Sequence, residues 1–192
     1  PVVIDNIYKD LNSDYAKLLH KKLVRGAITV AKDSKNQLPF KNLDSTKIAY
    51  ISFEQAVNDT FLLSARNYTT IKKFVIPTIG DYSLILQKTI DSLKSYNTVL
   101  INVIGASMYP SKKYGISAAQ VDITNKIAQK NNTILVLHAN PYALDYFKIV
   151  IPTLKTVVVA YDYTKSTQFE TPQVMFGALP AEGVLPIGAG GL

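Results

Sequence analysis

Apolar runs bounded by polar turns recur along the chain, and segments of helical periodicity lie between several of them. That alternation predicts βαβ units around a largely parallel sheet. The candidate strands are Ala27–Lys32, Lys47–Phe53, Phe74–Ile76, Thr98–Ile104, Thr133–His138 and Thr156–Tyr161. Most are continuous rather than alternating. Val99-Leu-Ile-Asn-Val-Ile104, Ile134-Leu-Val-Leu137 and Val157-Val-Val-Ala160 read as interior strands covered on both faces.

The helices between them announce their ends. Ser13 or Asp14 caps a helix through about Val24 that carries Leu18, Leu19, Leu23 and Val24 at helical spacing and closes at Arg25-Gly26. Glu54 to about Ala65 forms another. Asp81 caps a third, with Leu86, Ile90 and Leu93 on one face, and Ser117 a fourth, with Val121, Ile127 and Ala128 inward and Lys126 and Lys130 near its end. Asn140-Pro141 opens a short helix through Phe147, since proline suits a first helical turn. The last runs from Thr171 or Pro172 to Phe176, ended by Gly177 and Pro180. The expected fold is one three-layer α/β/α sandwich over residues 1–192, flavodoxin-like in outline, with about six mostly parallel strands. Residues 1–25 serve as lead-in and first helix. No internal repeat, low-complexity tract or interdomain linker stands out.

Composition changes this picture little. At 192 residues and 47% hydrophobic the chain can bury one sizeable core. No run reaches the roughly 18 apolar residues of a membrane helix, and no basic-then-apolar leader opens the sequence. It begins at Pro1, so it reads as a processed protein or a piece of something longer; an N-terminal proline nucleophile is the sharper alternative. The absence of cysteine removes disulfides, thiolate metal sites and cysteine nucleophiles together. The net charge of +7 is spread over scattered pairs such as Lys21-Lys22, Lys72-Lys73 and Lys112-Lys113, with only two arginines. Solvated helix faces are expected, not a nucleic-acid surface.

The chemical motifs are sparse. Gly105-Ala-Ser follows a strand but is no dinucleotide fingerprint, no Gly-Lys-Ser/Thr loop exists, and Gly188-Ala-Gly-Gly191 has no helix after it. A flavin site is disfavoured because Glu54-Gln-Ala-Val-Asn, with few donors and a carboxylate, follows the strand ending at Phe53. No cofactor is expected, and a histidine metal site is nearly excluded with only His20 and His138. His138 admits two readings, an acid/base at the sheet's carboxyl edge or a hydrogen-bonded structural residue. Asp162 and Glu54 lie at strand ends, where paired carboxylates for glycoside hydrolysis or simple loop caps both fit. An independent hydrolase using Asp162 and His138 is a further reading, although no Gly-x-Ser-x-Gly elbow surrounds Ser107. Tyr109, Tyr114, Tyr142, Tyr161 and Tyr163 gather in the loops of the same edge, as sugar-stacking aromatics or amphipathic rim residues. Ser107–Gly115 is the loop expected to protrude.

Together these parts resemble the C-terminal α/β sandwich domain of glycoside hydrolase family 3. Ala27-Ile-Thr-Val-Ala-Lys-Asp followed by Gln37-Leu-Pro-Phe is similar to that domain's opening; His138-Ala-Asn-Pro-Tyr-Ala-Leu to its Gly-Asn-Pro-Tyr segment; and Val174-Met-Phe-Gly-Ala-Leu-Pro-Ala-Glu-Gly-Val-Leu-Pro-Ile187 to its Phe-Gly, Gly-x-Leu-Pro exit. Ala139 stands where the family usually has Gly. By pattern the bacterial β-N-acetylhexosaminidase branch is the better match. The resemblance implies an accessory domain with no catalytic residue of its own, because that branch's nucleophile and His-Asp pair lie in a preceding (β/α)8 barrel whose Lys-His-Phe-Pro-Gly-His-Gly-Asp-type motif is absent here. In the glucosidase branch this domain donates a Glu, but Glu54, Glu170 and Glu182 match it by no motif. Partners implied are the barrel and a carbohydrate, and the location implied is a bacterial periplasm, envelope or secreted space. Candidate cleft residues are Tyr109, Lys112, Tyr114, His138, Asn140, Tyr142 and Asp162. The alternative is a free-standing flavodoxin-like module that binds a small ligand at its carboxyl edge.

Overall fold

A computed structural model describes residues 4–53 and 59–192. Six strands form one sheet in the order β1-β6-β5-β4-β2-β3: β1 (Thr29–Asp33), β2 (Ile48–Ser52), β3 (Ile71–Val75), β4 (Thr98–Ile104), β5 (Thr133–His138) and β6 (Thr156–Val159). All pairings are parallel except β1 with β6. The order reverses between β2 and β4, which is the switch point of a doubly wound sheet. The central strands β2, β5 and β6 are buried throughout, and β4 nearly so, whereas the edges β1 and β3 are half-covered.

Helices α1 (Ile7–Leu11), α2 (Asp14–Ala27), α3 (Thr60–Ala65), α4 (Ser83–Leu93), α5 (Ala118–Ala128) and α6 (Lys165–Met175) supply the outer layers. On one face α4, α5 and the segment around Phe147 to Leu154 pack over Val99, Ile101, Leu135 and Val157. On the other, α3, α6 and Val24 of α2 cover Ile48, Tyr50, Leu100, Val136 and Val158. Leu86, Ile90 and Leu93 face the core as their spacing predicts. Ser117 caps α5 through a reciprocal box with Gln120.

Several boundaries differ from expectation for identifiable reasons. Helix α6 starts at Lys165, not near Pro172: Thr164 caps it by accepting from the Thr167 amide, and Pro172 is carried inside its third turn. Helix α2 runs through Gly26 to Ala27 and buries only Val24, while Leu18, Leu19 and Leu23 point outward. In α5, Ile123 faces inward and Val121 is only partly covered. The helix expected from Glu54 is described only from Thr60, capped by Asp59; residues 54–58 lie outside the described residues.

The signature segments have structural causes. The Asp33 carboxylate accepts from the amides of Gln37 and Leu38 and from the Thr156 hydroxyl, so it folds the chain back after β1. Lys32 reaches the Ile151 carbonyl at 2.7 Å, and burial lowers its pKa. Gly177 ends α6 at φ +81°, where a Cβ would also meet Pro39 Cβ at 2.9 Å. Gly183 crosses beside Thr29 so closely that a side chain would strike the Ala27 and Ile28 carbonyls at 2.5 Å.

Candidate functional site

Loops after β4, β5 and β6 line an open cleft of about 890 Å³ at the carboxyl edge of the sheet. Tyr109, Lys112, Asn140 and Asp162 line it together with Gly105–Met108, Pro141, Tyr161, Tyr163 and Thr164. It lies beside the switch point, toward β5 and β6. The loop carrying Tyr109 and Lys112 is held by its far end. Lys113 and Tyr114 adopt left-handed backbone at φ +51° and +53°, and the Tyr114 amide donates to the Tyr109 carbonyl at 3.1 Å. Such strain persists only where surroundings over-determine it, and here the buried Tyr114 ring supplies the anchor, edge-on to Tyr146. Lys112 then sits with its ammonium 5.9 Å from the Tyr109 ring centroid.

Asn140 begins the turn after β5. Its Oδ1 accepts from the Tyr142 amide at 3.1 Å, and Pro141 follows in the first turn of a short 3-10 helix, Pro141–Phe147. The Ala139 side chain fits because Gly105 opposite leaves room: a Cβ on Gly105 would lie 2.5 Å from that of Ala139. Tyr161, at φ +64°, turns the chain out of β6 and its hydroxyl pairs with that of Thr29 at 2.8 Å.

Asp162 does two jobs, both structural. Its Oδ1 accepts from the Thr164 amide at 2.9 Å and from the Thr167 hydroxyl, which fastens the loop to the start of α6. Burial opposes its ionisation, yet the hydrogen bonds from Thr167 and Thr164 hold its pKa below the usual carboxylate value. The backbone carbonyl of Asp162, not its carboxylate, accepts from His138 Nδ1 at 2.8 Å. His138 has no exposed surface; its ring meets those of Phe61 and Tyr163 edge-on, and burial lowers its pKa to about 4. The two residues therefore touch without forming an acid/base pair: the imidazole is out of a substrate's reach and the carboxylate is committed to α6.

The edge thus gathers Tyr109, Lys112, Asn140 and Asp162 and leaves three expected residues out. Tyr114 points into the core because its left-handed backbone turns the ring inward. His138, the last residue of β5, faces the covered side of the sheet. Tyr142, half-exposed, projects away from the cleft lining. Of the glutamates, Glu170 is buried and paired with Arg25 and Lys21, Glu182 is exposed, and Glu54 lies outside the described residues. A buried polar row comprising Tyr50, Asn102, Asp59 and Lys73 escaped the sequence reading. Asn102, a lone amide within an apolar strand, was its available signal.

No protein-family model and no curated protein sequence matches the chain. Solved structures do. A fungal multi-domain family 3 β-N-acetylglucosaminidase with a glucosamine N-acetyltransferase region superposes with TM-score 0.69 at 20% identity, over 94% of this chain and 20% of its own. A family 3 β-N-acetylglucosaminidase from Paenibacillus sp. str. FPU-7 gives 0.68 at 14% identity, covering 92% of this chain and 33% of its own. A β-glucosidase from Listeria innocua gives 0.68 at 10% identity, over 89% of this chain and 26% of its own. The chain has the fold of one part of these enzymes and spans a third or less of their length.

Proposed function

We propose that this chain is the accessory, non-catalytic C-terminal α/β sandwich of a family 3 glycoside hydrolase of the bacterial β-N-acetylhexosaminidase type, packing on a preceding (β/α)8 barrel of the same polypeptide. The observation that carries this reading is the outer face of α2. Tyr15, Leu19 and Leu23 recur four residues apart on the side away from Val24 and are 75%, 44% and 64% exposed; Tyr8 and Leu11 of α1 are bare as well. A helix buries such a stripe against something, and the likeness to one part of much longer glycosidases makes a catalytic barrel the natural cover. The carboxyl-edge cleft, with Tyr109 and Lys112 on a stiffened loop, then forms part of the rim that a carbohydrate meets. Periplasm, cell envelope or secretion is the setting that suits such a parent enzyme.

The chain alone, incubated with a chromogenic N-acetylglucosaminide, is expected to give no turnover above background. Hydrolysis at an ordinary enzymatic rate would overturn the accessory role. The upstream coding sequence is the second test: it should encode a (β/α)8 barrel with the His-containing motif.

The free-standing binding module is the second reading, and one observation favours it: the open cleft of about 890 Å³ at the carboxyl edge brings Lys112, Asn140 and Asp162 together. Saturable binding of a small molecule to the isolated chain, abolished by Lys112→Ala, would select it over the accessory domain.

A further inference from the structure

Apolar side chains fill the sheet face that α3 and α6 cover, and polar ones interrupt it toward the carboxyl ends of β2, β4 and β5. Tyr50, Asn102 and His138 are each at most 3% exposed there. Buried polar groups of this kind are hydrogen-bonded as a rule, and most of these are. Asn102 Nδ2 donates to the Tyr50 hydroxyl oxygen at 2.8 Å. Burial first, and then the charge of Asp59 with which the hydroxyl also bonds, raise the Tyr50 pKa well above its ordinary value. Asp59 accepts in addition from the Leu62 amide at 3.0 Å and from Lys73 Nζ at 3.3 Å. At the other end of the row, His138 Nδ1 meets the Asp162 carbonyl at 2.8 Å.

Among the described residues four buried side-chain atoms lack a hydrogen-bond partner, and two of them, Asn102 Oδ1 and His138 Nε2, lie in this row. Their chemistry can be read from the bonds around them. A carbonyl oxygen only accepts, so His138 Nδ1 carries the proton, and in the neutral ring Nε2 is a bare lone pair. The amide of Asn102 spends its nitrogen on Tyr50, so its free atom is an acceptor too. Both side chains lie on the same face of neighbouring strands. Asn102 stands opposite Val136, and His138 lies two residues farther along β5, opposite Ile104. The step is about 5 Å across the sheet and about 7 Å along it. Two acceptors cannot satisfy each other, and each left dry costs about 1–3 kcal/mol.

We infer that one buried water binds here, donating one O–H to Asn102 Oδ1 and the other to His138 Nε2. Water is the smallest molecule with two donors at a suitable angle, and two buried acceptors on neighbouring strands give it the two polar partners an internal water needs. With it in place a hydrogen-bonded chain crosses the sheet, from Lys73 on the edge strand through Asp59, Tyr50, Asn102 and His138 to the Asp162 carbonyl. Asp162 is a residue of the cleft wall, so the water ties the wall to the switch point of the sheet.

Nitrogen-15 NMR of the labelled chain tests this. Long-range proton–nitrogen correlations are expected to show His138 as the Nδ1–H tautomer with Nε2 shifted as a hydrogen-bonded acceptor, and a long-lived water should give a cross-peak to the His138 ring protons. Asn102→Leu should abolish that cross-peak while leaving the tautomer unchanged; if this variant does not fold, tautomer and cross-peak in the unaltered chain decide by themselves. An Nε2–H tautomer would overturn the proposal. So would a cross-peak undiminished in Asn102→Leu, or a turned amide in which Asn102 Nδ2 donates directly to His138 Nε2 and Oδ1 accepts from the Tyr50 hydroxyl.

Discussion

Burial keeps His138 neutral in the folded chain down to a pH of about 4, whereas the same side chain in an unfolded chain protonates near its ordinary value of 6.5. Between these values the unfolded state binds the extra proton, so stability is full above pH 6.5, falls as pH drops through that window and levels off below about 4. The full excursion is on the order of 3 kcal/mol. Urea denaturation between pH 7 and pH 4 should reveal it, and His138→Asn should flatten that part of the curve. The charge pair beneath α2 makes a second residue-scale prediction. Glu170 is 1% exposed and takes Arg25 Nε at 2.8 Å, Lys21 Nζ at 3.3 Å and Gln173 Nε2 at 3.1 Å. Arg25→Ala leaves a buried carboxylate with weaker company and should cost about 1–3 kcal/mol in equilibrium unfolding; Lys21→Ala should cost less, because its contact is longer and monodentate. At this scale the sequence was least legible. It offered His138 and Asp162 as a pair by position, but whether a carboxylate or a carbonyl faces an imidazole depends on a turn geometry that a left-handed Tyr161 sets. Tyr114 was mistaken for a rim residue for the same reason, since three successive positive-φ residues reverse the side a ring points to.

Elements were easier to read where one physical signal dominates. β4 and β5 occupy the predicted residues to both ends, because β-branched and leucine runs, interrupted in β4 only by Asn102, mean burial on both faces. α5 was legible from its cap. α6 was not: Pro172 looked like a beginning because proline usually is one, and the weaker cap at Thr164 was passed over. Gly177, which closes that helix, carries two constraints at once. Gly177→Ala must hold an L-residue at φ +81° and push against Pro39, so it should lower stability by about 1–3 kcal/mol, measured as a shifted urea midpoint with unchanged slope. The α2 stripe behaves oppositely. Leu19→Glu and Leu23→Glu alter exposed positions and should move the stability of the isolated chain by less than about 0.5 kcal/mol. In a polypeptide that includes the proposed barrel the same pair should loosen the domain, detected as faster limited proteolysis of the junction. If that junction is equally protected in both proteins, the stripe is not the docking face.

The whole molecule is a sheet whose two borders differ from its middle. Layering, strand number and mostly parallel direction followed from periodicity alone, while the antiparallel β1 and the fold-back of residues 183–192 onto the core rest on contacts between distant residues that no local pattern encodes. The borders have a consequence of their own. β3 ends the sheet with Lys72 exposed and Lys73 held by Asp59, and the opposite border, β1, carries Lys32 and a register break between Val30 and Lys32. The exposed Lys72 on one border, and on the other an irregular ladder partly covered where Gly183 pairs beside Thr29, discourage a second sheet from zippering on. Copies of this chain that meet in concentrated solution are therefore expected to touch through the bare apolar side chains of α1 and α2 rather than through open strands.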